Sequence, residues 1–125
     1  MQLKKAFNFL KSLPVKLNSF YVKKSKSRLV VKNKSKDKKD FDPVTNLDQD
    51  FEQHIRLLIS KKFSNDSIIG EEFSDKNSTS SYTWTIDPID GTKAFVIGAP
   101  TWSNLIGLSF QKKSLLGLAN FPELN

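Results

Sequence analysis

The chain has 125 residues and a formal net charge of +7, with 38% hydrophobic and 26% charged residues. This composition is typical of a globular protein with one small domain, and the lack of cysteine excludes a disulfide framework and a thiolate metal site. No apolar run approaches the ~20 residues that a membrane span requires, and the N-terminus lacks the features of a secretory signal. We therefore expect a cytoplasmic location and no membrane partner.

The charge is unevenly distributed along the chain. Residues 1–39 hold thirteen Lys or Arg and one acid, whereas the other 86 residues hold seven basic and twelve acidic residues. We predict a basic N-terminal helix and loop over residues 1–37 and a second unit over residues 38–125. A basic segment can bind nucleic acid or anionic lipid, but this one has no interleaved aromatic residues and no nucleic-acid motif. A solvated lysine-rich surface without a nucleic-acid partner is expected, with nucleic-acid binding as the alternative.

Two helices are predicted in the first half. The first covers residues 3–20, with Pro14 expected to kink or divide it. Its apolar residues recur at helical spacing: Leu3, Phe7, Leu10, Leu13 and Leu17. Residues 28–31 predict a short strand, and the lysine-rich stretch to Lys39 predicts a loop. The second helix begins at a capping-box-like pair, Thr45 and Asp48, and has one apolar face. That face consists of Phe51, Ile55, Leu58 and Ile59.

The second half predicts strands joined by short connections. In order, these are a strand over 67–70, a polar loop over 73–81, a strand over 82–86, a short helix from Thr92 to near Gly98, and a hairpin of 104–110 and 115–121. Helices followed by strands predict an α/β or α+β class. The last hairpin is apolar and has no following element to cover it, so we expect the front part of a larger fold.

Four acids are expected at the ends of these elements: Asp48, Glu71, Asp87 and Asp90. Asp87 is predicted to end a strand, after which Pro88 turns the chain so that Asp90 returns towards the same point. The carbonyl of Ile89 offers a third oxygen. Oxygen ligands of this kind suit Mg²⁺, which proteins hold with a few carboxylates together with water and substrate phosphate.

Gly91 and Thr92 follow at the predicted start of a helix. Free N–H groups there favour a phosphate, and the Thr92 hydroxyl is expected to cap the helix. Acids beside a phosphate site require a bridging metal, because they would otherwise repel the anion. The alternative is that residues 87–91 form only a turn. Asp48 can equally act as a helix cap, and His54 is expected to have no chemical role.

Three segments in order, "DFDPVTNLD", "IIGEE" and "WTIDPIDGTKAF", resemble the inositol monophosphatase family of Mg²⁺-dependent, lithium-sensitive phosphatases. The resemblance runs from about Lys38 to Phe121. It implies an α/β fold, the α+β layered sandwich of the inositol monophosphatase and fructose-bisphosphatase type, of which this chain holds the N-terminal part. It also implies a phosphoric monoester hydrolase that acts on a small phosphorylated metabolite, and family members are often dimers.

The resemblance also implies a role for each site residue. Glu71 matches a ligand of the first metal that orients the attacking water, and Asp87 matches the carboxylate that bridges two metals. Ile89 matches a ligand that acts through its carbonyl, and Asp90 matches the ligand of the second metal. Backbone N–H groups at positions 91 and 92 match the phosphate-holding groups, and the hydroxyl of Thr92 matches the glutamate's partner in activating water. Asp48 matches an acid on the rim of the metal site.

The substrate is suggested by the residues after the signature. The segment "DGTKAFVIGAPTWSNLIGL" resembles the histidinol-phosphatase branch more than the inositol branch. Inositol phosphate or another sugar phosphate, and a nucleotide bisphosphate, are the alternatives. Family members are roughly twice as long, and the second half supplies a further metal-binding aspartate and most of the substrate pocket. A truncated, catalytically inactive remnant is therefore a further alternative.

Overall fold

Two helices pack against one face of a four-stranded sheet. The structure is a computed structural model, and it describes residues 2–26, 28–35 and 43–124. The described elements are α1 (Gln2–Lys24), β1 (Val31–Asn33), β2 (Pro43–Thr45), α2 (Asn46–Lys62), β3 (Ser67–Gly70), β4 (Tyr82–Asp90), α3 (Thr92–Val96), β5 (Ser103–Phe110) and β6 (Lys113–Asn120). None of the described helices combines the length and the apolar character needed to cross a membrane.

Helix α1 is continuous through Pro14, so the prediction that this residue divides the helix is wrong. Its buried residues are Ala6, Phe9, Leu10, Leu13 and Leu17. A proline inside a helix costs about 3 kcal/mol, whereas each buried large apolar side chain contributes about 1.5–3 kcal/mol, so the packing outweighs the lost hydrogen bond. Leu3 and Phe7, predicted on the apolar face, are exposed. The core face passes through Ala6 and Phe9 instead.

A small antiparallel ribbon follows α1. Strand β1 pairs with β2, in register Val31 with Thr45. The strand predicted over 28–31 thus lies further along the chain, and β2 was not predicted. The loop predicted to Lys39 and the unit boundary near residue 37 fall largely on residues 36–42, outside the described residues. The boundary stays a prediction, although α1 packs into the same core as the rest of the chain.

Helix α2 begins as predicted. The Thr45 hydroxyl accepts hydrogen bonds from the backbone N–H groups of Leu47 and Asp48, and the Asp48 carboxylate accepts one from the Thr45 N–H, which confirms the capping box. Three of the four predicted apolar residues, Phe51, Ile55 and Ile59, are buried, and Leu58 is partly buried.

The sheet has the order β3-β4-β5-β6, with β3 parallel to β4 and the other pairs antiparallel. Its helix-facing side chains are buried: Ile68, Trp84, Ile86, Ile106 and Leu108. The opposite face carries Ile69 and Thr85, which are exposed. Helices on one face of a mixed sheet confirm the predicted α+β layering.

The predicted hairpin is confirmed, with a tighter turn than expected. Gln111 and Lys112 alone connect β5 and β6, and both have positive φ angles of 48° and 67°. Two residues with positive φ match the right-handed twist of the paired strands. Lys113 and Ser114, predicted in the turn, therefore belong to β6.

Candidate metal and phosphate site

The site begins at a bulge in strand β4. Asp87 pairs with Leu105 and Asp90 with Ser103, so β4 advances three residues where β5 advances two. The prediction that Asp87 ends a strand is therefore wrong, because β4 continues to Asp90. Pro88 has no N–H to donate to the ladder, which suits it to an interruption of this kind. The bulge changes the direction in which the neighbouring acids project.

A buried asparagine supports the bulge. The side chain of Asn104 donates a hydrogen bond of 2.7 Å from Nδ2 to the carbonyl oxygen of Pro88. Asn120 in turn donates from Nδ2 to Oδ1 of Asn104 (3.1 Å) and of Asn18 on α1 (2.9 Å). These amides connect the first helix to the bulge. Sequence reasoning missed them, and the only signal was a polar residue inside each of two apolar strands.

Asp48 joins the start of α2 to the start of α3. Its Oδ2 accepts hydrogen bonds from the N–H and the hydroxyl of Thr45, at 2.8 and 2.6 Å. Its Oδ1 lies 3.1 Å from the hydroxyl oxygen of Thr92, which is also 3.0 Å from the carbonyl oxygen of Ile89. One hydroxyl proton serves one acceptor at a time. Asp48 is thus both a helix cap and a neighbour of the candidate site.

The prediction that the Thr92 hydroxyl caps helix α3 is wrong. The cap residue is Gly91, in the left-handed region at φ 82°, and no side chain caps the helix. Glycine adopts this conformation without the steric cost that other residues meet. The Thr92 hydroxyl is directed to Asp48 and Ile89 instead, so tertiary contacts decide its role.

Most of the predicted site residues line one open cavity of about 310 Å³. They are Glu71, Asp87, Ile89, Asp90, Gly91 and Thr92. Asp48 is buried behind them and contacts the site through Thr92. The structure therefore brings together acids from the end of β3 and from the bulge with the first residues of α3.

Two lysines in the cavity were missed by sequence reasoning. Lys34 and Lys93 line it together with Pro43. Lys34 Nζ lies 3.6 Å from the carboxylate of Glu72, whose side chain is only 6% exposed. Burial raises the pKa of Glu72, with Lys34 opposing this rise. Lys93 follows the Gly-Thr pair directly and was visible in the sequence, whereas Lys34 reaches the site only through the pairing of β1 with β2.

Negative charge accumulates around Asp87. Burial raises the pKa of Asp87 to about 7, and the charges of Glu71 and Asp90, a hydrogen bond with Asp90, and Asp48 add to the rise. A cluster of carboxylates and a carbonyl offers only oxygen donors, which fits a hard divalent cation. Over residues 2–26, 28–35 and 43–124, no three acidic or histidine side chains converge closely enough to form a complete ion site.

Comparison with known proteins identifies the family. A family model described as the inositol monophosphatase family matches residues 14–125. The chain belongs to the inositol monophosphatase family. A histidinol-phosphatase of Chlorobaculum parvum is 44% identical over 87 residues, which cover 70% of this chain and 34% of the relative.

Solved structures agree on the fold of this inositol monophosphatase family member. An inositol monophosphatase (IMPase) of Thermotoga maritima is 29% identical and covers the whole chain with a TM-score of 0.79. An IMPase/NADP phosphatase complexed with Mg²⁺ and phosphate, 18% identical, has a TM-score of 0.84 and shares the fold over 98% of this chain. The chain spans about a third of the curated relative and 46% of each of these two solved chains.

Proposed function

We propose that this chain carries the water-activating and phosphate-holding part of a Mg²⁺-dependent phosphomonoesterase. The observation that carries the proposal is that Glu71, Asp87, Ile89 and Asp90 line one cavity together with Gly91 and Thr92 at the start of helix α3. Carboxylates of the kind that hold a cation thus lie next to the start of a helix, and metal-assisted hydrolysis of a phosphate ester uses a cation together with groups that hold the phosphate. The parallel pairing of Gly70 with Ile86 places Glu71, which follows β3, next to Asp87, so the strand register itself brings these two carboxylates together.

The fit to a divalent cation rests on charge as well as on donor type. Burial raises the pKa of Asp87, and the negative charges of Glu71, Asp90 and Asp48 add to that rise. A bound divalent cation would neutralise phosphate oxygens and generate a nucleophile from water at neutral pH. The groups proposed to hold this cation are the side chains of Glu71, Asp87 and Asp90 and the carbonyl of Ile89.

Residues of the same cavity are assigned the activation of water and the binding of phosphate. Glu71 accepts a proton from the attacking water. The Thr92 hydroxyl donates its hydrogen to Asp48, so its oxygen is free to accept a hydrogen bond from that water and orient it. The N–H groups of Gly91 and Thr92 bind the phosphate, and Asp90 contributes to substrate binding through the cation that it would hold. Lys34 and Lys93 add positive charge to the wall of the cavity, which favours an anionic substrate.

The proposed substrate is histidinol phosphate. The similarity to a histidinol-phosphatase over 87 residues supports this choice, as does the segment after the Asp-Gly-Thr signature. The alternative substrates are inositol phosphate or another sugar phosphate, and a nucleotide bisphosphate. A cytoplasmic location and a homodimer stay predictions, and light scattering on the purified chain tests the second.

The test has two parts, performed on the whole chain. The first is a titration with Mn²⁺, in which the free ion is measured by electron paramagnetic resonance, for the wild type, Asp90→Asn and the control Asp75→Asn. Asp75 lies on the exposed loop between β3 and β4. We expect Asp90→Asn to weaken binding at least tenfold, because a direct carboxylate ligand is neutralised, and Asp75→Asn to bind as the wild type does.

The second part measures phosphate release from histidinol phosphate, inositol 1-phosphate and a nucleotide bisphosphate, with Mg²⁺ and then with Li⁺ added. Release from histidinol phosphate is expected, with loss in Asp90→Asn. Turnover of inositol phosphate alone would overturn the choice of substrate. Cation binding without release from any of the three would show that this chain does not catalyse the reaction by itself. A wild type that binds no Mn²⁺ would refute the proposal as a whole.

A further inference from the structure

Glu52 is a fully buried carboxylate on the largely apolar inner face of helix α2, one turn after the buried Asp48. Its neighbours on that face include Phe51 and Ile55, which are also fully buried. Removing a carboxylate from water costs several kcal/mol unless hydrogen bonds and an opposite charge compensate it. The partners of Glu52 therefore indicate what the burial achieves.

Those partners are the backbone amides of the turn after strand β3. Oε2 of Glu52 accepts a hydrogen bond of 2.6 Å from the N–H of Glu72, and Oε1 accepts one of 3.3 Å from the N–H of Phe73. The strand ladder between β3 and β4 ends at Gly70. Helix α2 thus holds this turn through a side chain, at the point where the sheet no longer does.

Arg56, on the same helix, adds further contacts to this turn. We call Glu52 and Arg56, with their hydrogen bonds to the backbone of Glu72 and Phe73, the clamp. Nε of Arg56 lies 2.9 Å from Oε1 of Glu52, one helical turn away, and its Nη2 donates a hydrogen bond of 3.1 Å to the carbonyl oxygen of Phe73. The guanidinium therefore balances the buried charge and binds the turn at the same time. Charge-assisted hydrogen bonds of this type are stronger than neutral ones.

Gly70 shows how closely the turn and the clamp approach each other. A Cβ atom at this position would lie 1.9 Å from Oε1 of Glu52 and 2.9 Å from Nη2 of Arg56. Separations this short are not tolerated, so any side chain at position 70 would push the carboxylate or the turn away. The glycine is required by the clamp and not by its φ angle.

We infer that Glu52 is a positioning residue that fixes the backbone at Glu72 and Phe73, and thereby holds the Glu71 carboxylate opposite Asp87 for a divalent cation. Glu71 is exposed at the cavity and precedes the clamped amides directly. This inference rests on the proposed function, in which Glu71 is a cation ligand. Glu52 itself is buried behind the turn and acts only through it.

The clamp is tested with Glu52→Gln and Gly70→Ala, each with a matched control. Asp50→Asn removes a half-buried carboxylate of the same helix that pairs with Lys24, and Gly117→Ala adds a methyl group whose nearest neighbour is 4.0 Å away. Amide hydrogen exchange, measured by NMR, reports whether the Glu72 and Phe73 N–H groups are protected. We expect protection in the wild type and at least tenfold faster exchange in both test variants.

Mn²⁺ titration of the same four variants measures the consequence for the site. We expect about 10–100-fold weaker binding in Glu52→Gln and Gly70→Ala, as for groups that orient metal ligands, and unchanged binding in both controls. Circular dichroism confirms that the helices persist. A merely structural role for Glu52 would lower thermal stability while leaving the Mn²⁺ affinity of the folded fraction unchanged.

The outcomes separate this inference from the proposed function. Unprotected Glu72 and Phe73 amides in the wild type would refute the clamp, even if Glu52→Gln failed to fold. Normal Mn²⁺ affinity in a folded Glu52→Gln would refute the positioning role while leaving the proposed function standing. A wild type with protected amides and no Mn²⁺ binding would refute the proposed function and the cation-positioning role, and would confirm only the clamp.

Discussion

Replacing Asp87 with asparagine is expected to stabilise the metal-free chain above neutral pH. Burial and the neighbouring acids raise the pKa of Asp87 from its ordinary value of 3.8 to about 7. Between these values the folded state binds more protons than the unfolded state, so this group's contribution to stability is complete below pH 3.8 and is lost as the pH rises through 7. Asparagine stays neutral throughout and avoids that loss.

The magnitude follows from the same two values. A pKa that rises from 3.8 to about 7 corresponds to roughly 4 kcal/mol at about 1.4 kcal/mol for each pH unit. Asp87 is only half-buried, and solvent screens its interaction with the neighbouring carboxylates. We therefore expect a gain of about 1–2 kcal/mol for Asp87→Asn at pH 8, and no difference from the wild type near pH 4.

The assay is urea unfolding in the presence of EDTA at several values between pH 4 and pH 8, followed by the fluorescence of the buried Trp84 and Trp102. Asp75→Asn, on the exposed loop, is the control and should show no comparable pH-dependent gain. Adding Mg²⁺ should stabilise the wild type more than Asp87→Asn, because only the wild type keeps the carboxylate. A variant that is equally destabilised at every pH would refute the reasoning.

Three further predictions use the same unfolding assay. Thr45→Ala should lose about 1–2 kcal/mol, because helix α2 loses its cap, while the exposed Thr85→Ala should change little. Asn104→Ala should lose about 1–3 kcal/mol, because the Pro88 carbonyl loses its donor, and an unchanged stability would contradict that role. Burial and nearby lysines lower the pKa of His54, so His54→Gln should lessen the loss of stability as the pH falls below 6.5; parallel curves would contradict this.

The elements that the sequence predicted well are those with strong local signals. The start of α2 was predicted from the Thr45 and Asp48 pair, because a capping box is made by residues three positions apart. The hairpin of β5 and β6 was predicted from two apolar runs around the polar stretch 111–114. The predicted division of helix α1 at Pro14 and the predicted capping of α3 by Thr92 were wrong, because in both cases the local preference was overruled by packing or hydrogen bonding to distant residues.

The sequence by itself determined the α+β class, the family resemblance and the identities of the candidate ligands, since these depend on residue type and short spacing. Only the tertiary structure decided that Asp87 and Asp90 lie on a bulge, that Asp48 contacts Thr92, and that Lys34 shares their cavity. The clamp formed by Glu52 depends on residues about 20 positions apart along the chain. Contacts of that separation arise when α2 packs on the sheet, and no local pattern encodes them.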